Sequence, residues 1–327
     1  MEKLLVEIDE LYGKAVTNPQ KVTGGFLSEN YFLQEGSKKY FLKKYRFTNT
    51  KRIDEVHASK KYFSDGGIPV ILPIPLLNGS TYFSYDGSYY ALFPFVDGKQ
   101  IDRGNMNHAE IISLGEMLGR IHLLGKVSKV VNEERFKIGN QEKTFKKIED
   151  LLIEIQKKAH LSDFDKIALE NIELKKQLLL TNKLSFEDLN LPCDHLIHGD
   201  YLDHNVFFDD HHKVFAVFDF EKTNYSPRTY ELFRSMIYGM ISDDFSEKSL
   251  SDAKIYLDAY TGIYPISKDE IKRGLQLFLL KSIHGFWVES EHYIKNNNRV
   301  DEFLFNDYKK IKYLSENLEE FTRFLTT

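Results

Sequence analysis

The pattern of apolar residues changes about a third of the way along the chain, and this change strongly constrains the fold. Up to residue 96, short runs of aromatic and branched residues are separated by turn sequences such as Glu35-Gly-Ser and Asn78-Gly-Ser, which is typical of antiparallel strands. From His108 onward, apolar residues recur every three or four positions, as on the buried face of a helix. The sequence therefore predicts an α+β fold in two lobes. We expect a small antiparallel-sheet lobe over residues 1–96 and a large, mainly helical lobe over residues 97–327.

The elements of the two lobes follow from these patterns. The chain begins with an amphipathic helix, and one helix, Thr50–Ser64, lies among the strands. The predicted strands of the small lobe are Tyr31–Leu33, Lys39–Lys43, Thr81–Ser84 and Tyr89–Val96. The predicted helices of the large lobe are Ile111–Leu124, Thr144–Lys158, Ile167–Leu180, Ser251–Tyr260, Lys268–Asn296 and Asp301–Thr326. A β-hairpin is predicted inside this helical lobe, between residues 194 and 222.

Composition excludes several classes of partner. A net charge of −5 provides no general attraction to phosphate backbones or anionic membrane surfaces, so we expect neither nucleic acid nor a membrane as partner. The first residues carry acids within their apolar stretch, unlike a signal peptide, and no run approaches the roughly 18 apolar residues of a membrane span. The single Cys193 has no internal disulfide partner. We therefore expect a cytoplasmic protein.

Three polar residues frame the predicted hairpin. Asp200 and Asn205 flank its first strand, in His198-Gly-Asp-Tyr-Leu-Asp-His-Asn205, and Asp219 ends its second strand. Strand pairing would bring Asn205 and Asp219 together, so that their oxygens can share one hard cation. Mg²⁺ suits such a site because it prefers a few protein oxygens together with substrate phosphate oxygens. Asp200 is then free to orient an attacking hydroxyl and accept its proton.

These residues resemble a known catalytic core. His198-Gly-Asp200, Asn205 five positions later, and Val217-Phe-Asp219-Phe-Glu221 together resemble the aminoglycoside phosphotransferase and choline kinase superfamily, whose fold is related to that of protein kinases. The resemblance implies Asp200 as the catalytic base and Asn205 and Asp219 as Mg²⁺ ligands. Positioning and charge neutralisation would supply most of the rate enhancement.

The resemblance also implies a nucleotide site in the small lobe. Tyr40-Phe-Leu-Lys43 resembles the strand whose lysine pairs with the nucleotide phosphates, and Glu55 on the following helix is spaced as its ion-pair partner. The segment from Thr23 to Asn30 would be the loop over the phosphates, acting through backbone N–H groups and Ser28. ATP is the expected phosphate donor, with GTP as an alternative.

Two further segments match the same superfamily. Ala91-Leu-Phe-Pro-Phe-Val-Asp-Gly98 resembles the hinge, where the Pro94 carbonyl and the Val96 N–H would meet the edge of adenine. The segment from Tyr225 to Arg234 resembles the helix after the metal-binding segment, with Glu231 where the family usually has Asp. We expect Glu231 to support the catalytic loop, although its side chain is longer.

Each of these assignments has a simpler alternative. Lys44 would face inward in place of Lys43 if the strand register moved by one, but alternation groups Lys43 with Phe41, opposite Leu42. Asp54 competes with Glu55. For Asp219 the alternative is an ordinary turn residue, and for Asn205 it is a cap at the end of an element.

The acceptor is expected to meet the C-terminal helices. On one continuous helix, His284, Trp287 and Glu291 would share a face, and a Trp with a carboxylate one turn away can receive a cationic amine. The alternative is that Trp287 packs in the core with Glu291 at its rim. Asp203 is a second candidate, either for contact with the substrate or as a cap of the catalytic loop.

The sequence thus predicts a kinase that transfers the γ-phosphate of ATP to a hydroxyl of an aminoglycoside, amino alcohol, sugar or similar metabolite. The acceptor is small and hydroxylated, with a cationic amine as one form. A protein kinase is disfavoured, because Gly199 stands where those enzymes usually have Arg and Asp219 is followed by Phe-Glu. The alternative from another class is a non-catalytic, kinase-like binding or structural protein. Both a monomer and a homodimer are compatible with the sequence.

Overall fold

The small lobe is built on one five-stranded sheet. The structure, a computed structural model, describes residues 1–22, 29–102, 104–241 and 245–327. The strands of the sheet are β1 Thr17–Lys21, β2 Asn30–Glu35, β3 Lys38–Tyr45, β4 Phe83–Tyr85 and β5 Ser88–Pro94. Their order is β1-β2-β3-β5-β4, and all neighbours are antiparallel. Two helices accompany the sheet, α1 Glu2–Tyr12 and α2 Thr50–Asp65.

The two faces of this sheet bury different clusters because side chains alternate along each strand. Leu42 of β3 and Leu92 of β5 pack with Leu4 and Ile8 of α1. The intervening residues project to the opposite face, where Ala91 packs with residues of α2. Lys43 is paired across the strands with Ala91 and therefore lies on this second face.

The large lobe contains most of the helices and two small strand pairs. Its helices are α3 His108–Lys126, α4 Gln141–Gln156, α5 Asp163–Thr181, α6 Arg228–Met240, α7 Glu247–Ile263, α8 Lys268–Ile283, the short α9 Trp287–Glu289 with the π-helix Ser290–Ile294, and α10 Phe303–Thr326. Its strands are β6 His195–Ile197, β7 Val206–Phe208, β8 Val214–Val217 and β9 Asn224–Ser226. Within the described ranges, no helix is both long and apolar enough to cross a bilayer.

One hydrophobic cluster joins α2 to the large lobe. Val56 and Phe63 of α2 belong to the same buried cluster as Leu118 of α3, Val217 of β8 and Leu232 of α6. The backbone reinforces this junction, since the Ile71 N–H donates to the Val217 carbonyl and the Val217 N–H to the Pro69 carbonyl. Helix α2 is thus anchored beside the hairpin.

The predicted hairpin is present. Strands β7 and β8 pair antiparallel, with Val206 opposite Val217. Strands β6 and β9 pair separately, with His195 opposite Ser226. The α+β, protein-kinase-like architecture that the sequence predicts is confirmed, although β1 was not among the predicted strands.

The prediction of one continuous helix over residues 268–296 is wrong in one respect, because helix α8 ends at Ile283. The buried Phe286 has the non-helical angles φ −132° and ψ 47°. The Gly285 carbonyl accepts a hydrogen bond of 2.6 Å from the Lys175 ammonium of α5. The Gly285 carbonyl thus binds a charged side chain of another helix. A tertiary contact therefore interrupts a segment whose composition is helical throughout.

Candidate active site

The end of the hairpin brings Asn205 and Asp219 together. The Phe218 N–H donates to the Asn205 carbonyl at 3.1 Å, so Asp219 lies one residue beyond a backbone contact with Asn205. The Asn205 side-chain N–H donates to the Asp200 carbonyl at 2.8 Å. This bond leaves the amide oxygen pointing away from Asp200. The ladder thus groups the three polar residues that the sequence singled out.

Lys43 reaches this group from the small lobe. Its ammonium lies 2.9 Å from the Asp219 carboxylate and 2.9 Å from that of Glu221. Burial alone would raise the pKa of Asp219, but the Lys43 charge and hydrogen bond outweigh it and lower this pKa to about 2. Burial likewise opposes the charge on Lys43, yet the two carboxylates hold its pKa above the ordinary range. Lys43 and Asp219 are therefore both charged at neutral pH.

The structure does not form the predicted pair between Lys43 and Glu55, although it describes both residues. Glu55 instead accepts from the Arg52 guanidinium at 3.2 Å and from the Glu133 N–H at 3.0 Å. The acidic partner of Lys43 that sequence reasoning missed is Glu221, two positions after Asp219. Its signal was present in the sequence as the Glu of Asp219-Phe-Glu.

Arg52 explains why Glu55 is held elsewhere. Its guanidinium donates to the Glu221 and Thr223 carbonyls, each at 2.7 Å. Glu55 lies one helical turn further along α2 and binds the same guanidinium. Glu55 thus orients the side chain that attaches α2 to the segment after Asp219.

Glu231 of α6 supports the loop of residues 198–205. Its carboxylate accepts hydrogen bonds from the backbone N–H groups of His198, Gly199 and Tyr201. The His122 imidazole lies 3.1 Å from the same carboxylate. Burial raises the pKa of Glu231, but the bond with His122 and the Gly199 N–H help to lower it below its ordinary value. The longer side chain of Glu therefore reaches the loop.

Gly199 is required by the close approach of two segments. Its φ is +90°, and a Cβ at this position would lie 2.0 Å from the Lys222 carbonyl oxygen. Only glycine satisfies both conditions without a shift of the backbone. The His198 ring makes two contacts beside Gly199: its Nε2 lies 2.8 Å from the Phe218 carbonyl, and its Nδ1 accepts from the Asp200 N–H. This pattern fits a neutral imidazole that is protonated on Nε2. The loop and the Asp219 segment are thereby locked together.

Two cations hold the Asp200 carboxylate. The Lys222 ammonium lies 2.8 Å from Oδ2, and the Arg234 guanidinium lies 2.7 Å from Oδ1. Burial raises the pKa of Asp200, but Arg234 and Lys222 together hold it well below its usual range. Sequence reasoning missed both cations. Arg234 is three positions after Glu231, so Glu231 and Arg234 lie on the same face of α6.

Strand β5, which contains the predicted hinge residue Pro94, directs the carbonyl of that residue away from β3. The Phe95 N–H donates to the Lys39 carbonyl, so the opposed residues Tyr40 and Pro94 form a non-hydrogen-bonded pair. The Pro94 carbonyl therefore points away from β3, on the same edge as the Leu92 carbonyl, which accepts from the Ile74 N–H. Val96 is two positions further along, just after β5.

The remaining predicted site residues have varied positions. Ser28 lies outside the described residues. Asp203 is buried, and its carboxylate lies 3.4 Å from the His204 imidazole. Trp287 is 45% exposed and contacts Phe303, whereas Glu291 is 3% exposed and binds Lys295 and Asn297.

The arrangement at residues 284–291 differs from both interpretations of the sequence. The break at Gly285 separates His284 from Trp287 and Glu291, so the three residues do not share the face of one continuous helix. Trp287 is not in the core, and the Glu291 carboxylate is already occupied within the protein.

Comparison with known proteins identifies the family. The model of a family described as a phosphotransferase enzyme family, abbreviated APH, matches residues 19–266. The match covers well over half of the chain, and the chain belongs to this family. The predicted superfamily and the predicted enzyme class, a phosphotransferase, are both confirmed.

Individual relatives are more distant. Stress response kinase A of Escherichia coli (strain K12) is 31% identical over 98 residues, a match that spans only 29% of this chain and 29% of that protein. A solved spectinomycin phosphotransferase, in complex with ADP and spectinomycin, has a TM-score of 0.65 at 16% identity, covering 98% of this chain and 97% of that one. A microcompartment-associated aminopropanol kinase has a TM-score of 0.67 at 11% identity, covering 98% of each chain. At such identities, the two structures show a shared fold.

Proposed function

We propose that this chain is a Mg²⁺-dependent kinase that transfers the γ-phosphate of ATP to a hydroxyl of a small molecule. The observation that carries the proposal is the meeting of Lys43, Asn205 and Asp219 at one end of the hairpin, with Asp200 hydrogen-bonded to Asn205. This grouping combines a phosphate-binding cation, oxygen ligands for a hard metal and a carboxylate for the acceptor. Few reactions other than phosphoryl transfer need all three.

Asn205 and Asp219 would hold the metal. The Asn205 amide nitrogen is occupied by the Asp200 carbonyl, so its oxygen is the atom available for a cation. Asp219 uses one oxygen for Lys43 and is ionised at neutral pH. No group of three or more His, Cys, Asp or Glu side chains within the described ranges has the arrangement of a metal site. Two protein ligands completed by phosphate oxygens fit Mg²⁺, which would neutralise charge on the phosphate chain when bound.

Lys43 and the hinge would bind the nucleotide. The Lys43 ammonium stays protonated and is buried, so it can exchange a carboxylate partner for a phosphate oxygen without exposure to water. The Pro94 carbonyl points away from β3, and with the Val96 N–H it would offer the acceptor and donor that an adenine edge needs. Ser28 stays a prediction for the phosphate loop. In this proposal Glu55 acts indirectly, through Arg52.

Asp200 would orient the acceptor hydroxyl and take its proton. Its low pKa keeps the carboxylate ionised throughout the physiological range, so a hydroxyl donor always meets an acceptor oxygen. A strongly acidic carboxyl is a weak base. Asp200 therefore contributes mainly by aligning the nucleophile, and the proton moves late, when the hydroxyl oxygen has begun to bond to phosphorus.

The acceptor class remains broad at this level. An aminoglycoside, an amino alcohol, a sugar or a similar metabolite would suit the proposal, because similar folds include a spectinomycin phosphotransferase and an aminopropanol kinase. Asp203 and the exposed Trp287 stay candidates for contact with the acceptor, and Glu291 is the weaker candidate because its carboxylate is occupied. Four further points stay predictions: the division into lobes 1–96 and 97–327, the cytoplasmic location, ATP as the donor with GTP as the alternative, and a monomeric or homodimeric state.

The test is a measurement of Mg·ATP binding and turnover on the purified full chain. We expect Mg·ATP, but not ATP with a chelator, to raise the melting temperature, and ADP to be released with at least one hydroxylated acceptor. The variant Asp200→Asn should lose about 10²–10⁴-fold in turnover while its thermal shift with Mg·ATP stays.

The matched control is Asp210→Asn, since Asp210 is an exposed acid whose ion-pair partner, Lys99, lies on the surface. Full activity in Asp200→Asn would reject the proposed base. Absence of both the Mg·ATP shift and ADP release would instead favour the non-catalytic, kinase-like alternative.

A further inference from the structure

The charges around Asp200 are unbalanced. Lys222 and Arg234 each occupy one oxygen of the carboxylate, so the three groups together carry a formal charge of +1. The reacting hydroxyl of an acceptor must therefore approach a carboxylate that two cations contact directly. Such surroundings repel an ammonium group and attract an anion.

The two cations differ in freedom. The Arg234 side chain is only 19% exposed, and its guanidinium lies 5.7 Å from the centroid of the Tyr238 ring. The Tyr238 hydroxyl in turn donates to Asp307 at 2.9 Å, so Arg234 is held by a supporting chain of contacts. The Lys222 side chain is 57% exposed. Arg234 is therefore a fixed partner of Asp200, whereas Lys222 can move when a hydroxyl takes its place on Oδ2.

The carboxylates of the C-terminal helices do not offset this positive charge. Glu291 binds Lys295 and Asn297, and Asp307 binds Lys175 as well as Tyr238. Glu289 is buried, accepts from Asn171, and has a pKa raised by burial. Each of these acids is engaged inside the protein. An amine on the acceptor would find no ready carboxylate among them.

We infer that the acceptor carries an anionic group, a carboxylate or a phosphate, close to its reacting hydroxyl, and that Lys222 binds this group when the hydroxyl displaces it from Asp200. This inference rests on the proposed function. It makes Lys222 a specificity-determining residue, and it replaces the cationic acceptor that the Trp287–Glu291 pattern suggested. Arg234 meanwhile keeps the Asp200 carboxylate in place.

The experiment is a kinetic comparison of matched acceptors. Glycerol, a tetritol and a hexose are each offered in neutral, aminated, carboxylated and phosphorylated form, with saturating Mg·ATP. For at least one set, we expect kcat/KM of an anionic member to exceed that of the neutral and aminated members by at least tenfold. The carboxylated and phosphorylated members distinguish the two kinds of anion.

Variants assign the effect to Lys222. Lys222→Met should raise KM for the anionic acceptor at least tenfold and KM for ATP less than twofold, and Lys222→Arg should restore most of the affinity. Lys213→Met, a change of an exposed lysine in the β7–β8 turn, is the control. Thermal unfolding of each variant verifies that it is folded.

The outcomes separate the inference from the proposed function. A preference for aminated members, or no preference for anionic ones in a protein that binds Mg·ATP, overturns the inference alone. An increase of KM for ATP in Lys222→Met also overturns it, because Lys222 would then bind the nucleotide phosphates. A protein that neither binds Mg·ATP nor releases ADP refutes the proposed function, and the inference with it.

Discussion

Replacement of Lys60 by Met should stabilise the protein at neutral pH. Lys60 lies on α2 and is only 3% exposed. Its ammonium donates to the Ile71 carbonyl at 3.2 Å and lies 4.4 Å from the centroid of the Phe93 ring. Burial first, and then the charge of Lys43, lower its pKa from 10.5 to about 7. This lysine is therefore kept in the core at a cost in stability.

The magnitude follows from this pKa. Between about pH 7 and pH 10.5 the unfolded chain binds a proton that the folded chain has lost, so the free energy of unfolding rises with pH in this window. One pKa unit corresponds to about 1.4 kcal/mol, which gives a cost of up to about 4 kcal/mol at pH 7 and about 2 kcal/mol less at pH 9. Methionine removes this cost but also one hydrogen bond and one cation–π contact, together worth about 2 kcal/mol.

We therefore expect Lys60→Met to be more stable than the parent by about 2 kcal/mol at pH 7, with the difference falling to about zero at pH 9. Urea unfolding followed by far-ultraviolet circular dichroism at several pH values measures it. Lys61→Met is the control, because Lys61 is exposed and pairs with Asp65 on the surface. A difference that is constant from pH 6 to pH 10, or a variant less stable at pH 7, would refute the reasoning.

Two substitutions, one in the loop of residues 198–205 and one on α6 where it supports that loop, should damage both stability and turnover. Gly199→Ala places a Cβ 2.0 Å from the Lys222 carbonyl oxygen. We expect the free energy of unfolding, measured with denaturant, to fall by more than about 2 kcal/mol and kcat to fall at least a hundredfold. Near-parental values would contradict the geometry. Glu231→Ala leaves buried N–H groups without their acceptor, which should cost about 3 kcal/mol and lower the melting temperature, whereas the exposed Glu316→Ala should not. A parental melting temperature and kcat in Glu231→Ala would show that the loop needs no such support.

Local patterns predicted the hairpin end of the site well. Pairing of β7 with β8 is a consequence of alternation and of the turn between them, so the approach of Asn205 to Asp219 required no knowledge of tertiary structure. The side of β3 on which Lys43 lies follows from the same period of two. Such features depend on neighbours in sequence or on one strand pair.

Features that depend on several separate elements were not predictable in this way. The partner of Lys43 depends on how α2 packs beside the hairpin. In this packing, Glu55 forms its ion pair with Arg52 and not with Lys43. The pair of cations on Asp200 joins a turn after β8 to a helix, and no local period relates them. The break at Gly285 has the same origin, since its partner Lys175 lies on another helix.

The bonds from Arg52 to the Glu221 and Thr223 carbonyls have a thermodynamic consequence. Glu55 holds Arg52, Arg52 holds the backbone of Glu221, and the Glu221 carboxylate holds Lys43. A ligand that draws Lys43 away from Glu221 therefore changes the free energy of the contact between α2 and this segment. By reciprocity, a change that shifts the position of α2 alters the affinity for that ligand by the same factor by which the ligand alters the contact of α2. Helix α2 is thus energetically linked to Lys43, although the link runs through Arg52 and Glu221 and not through a direct contact.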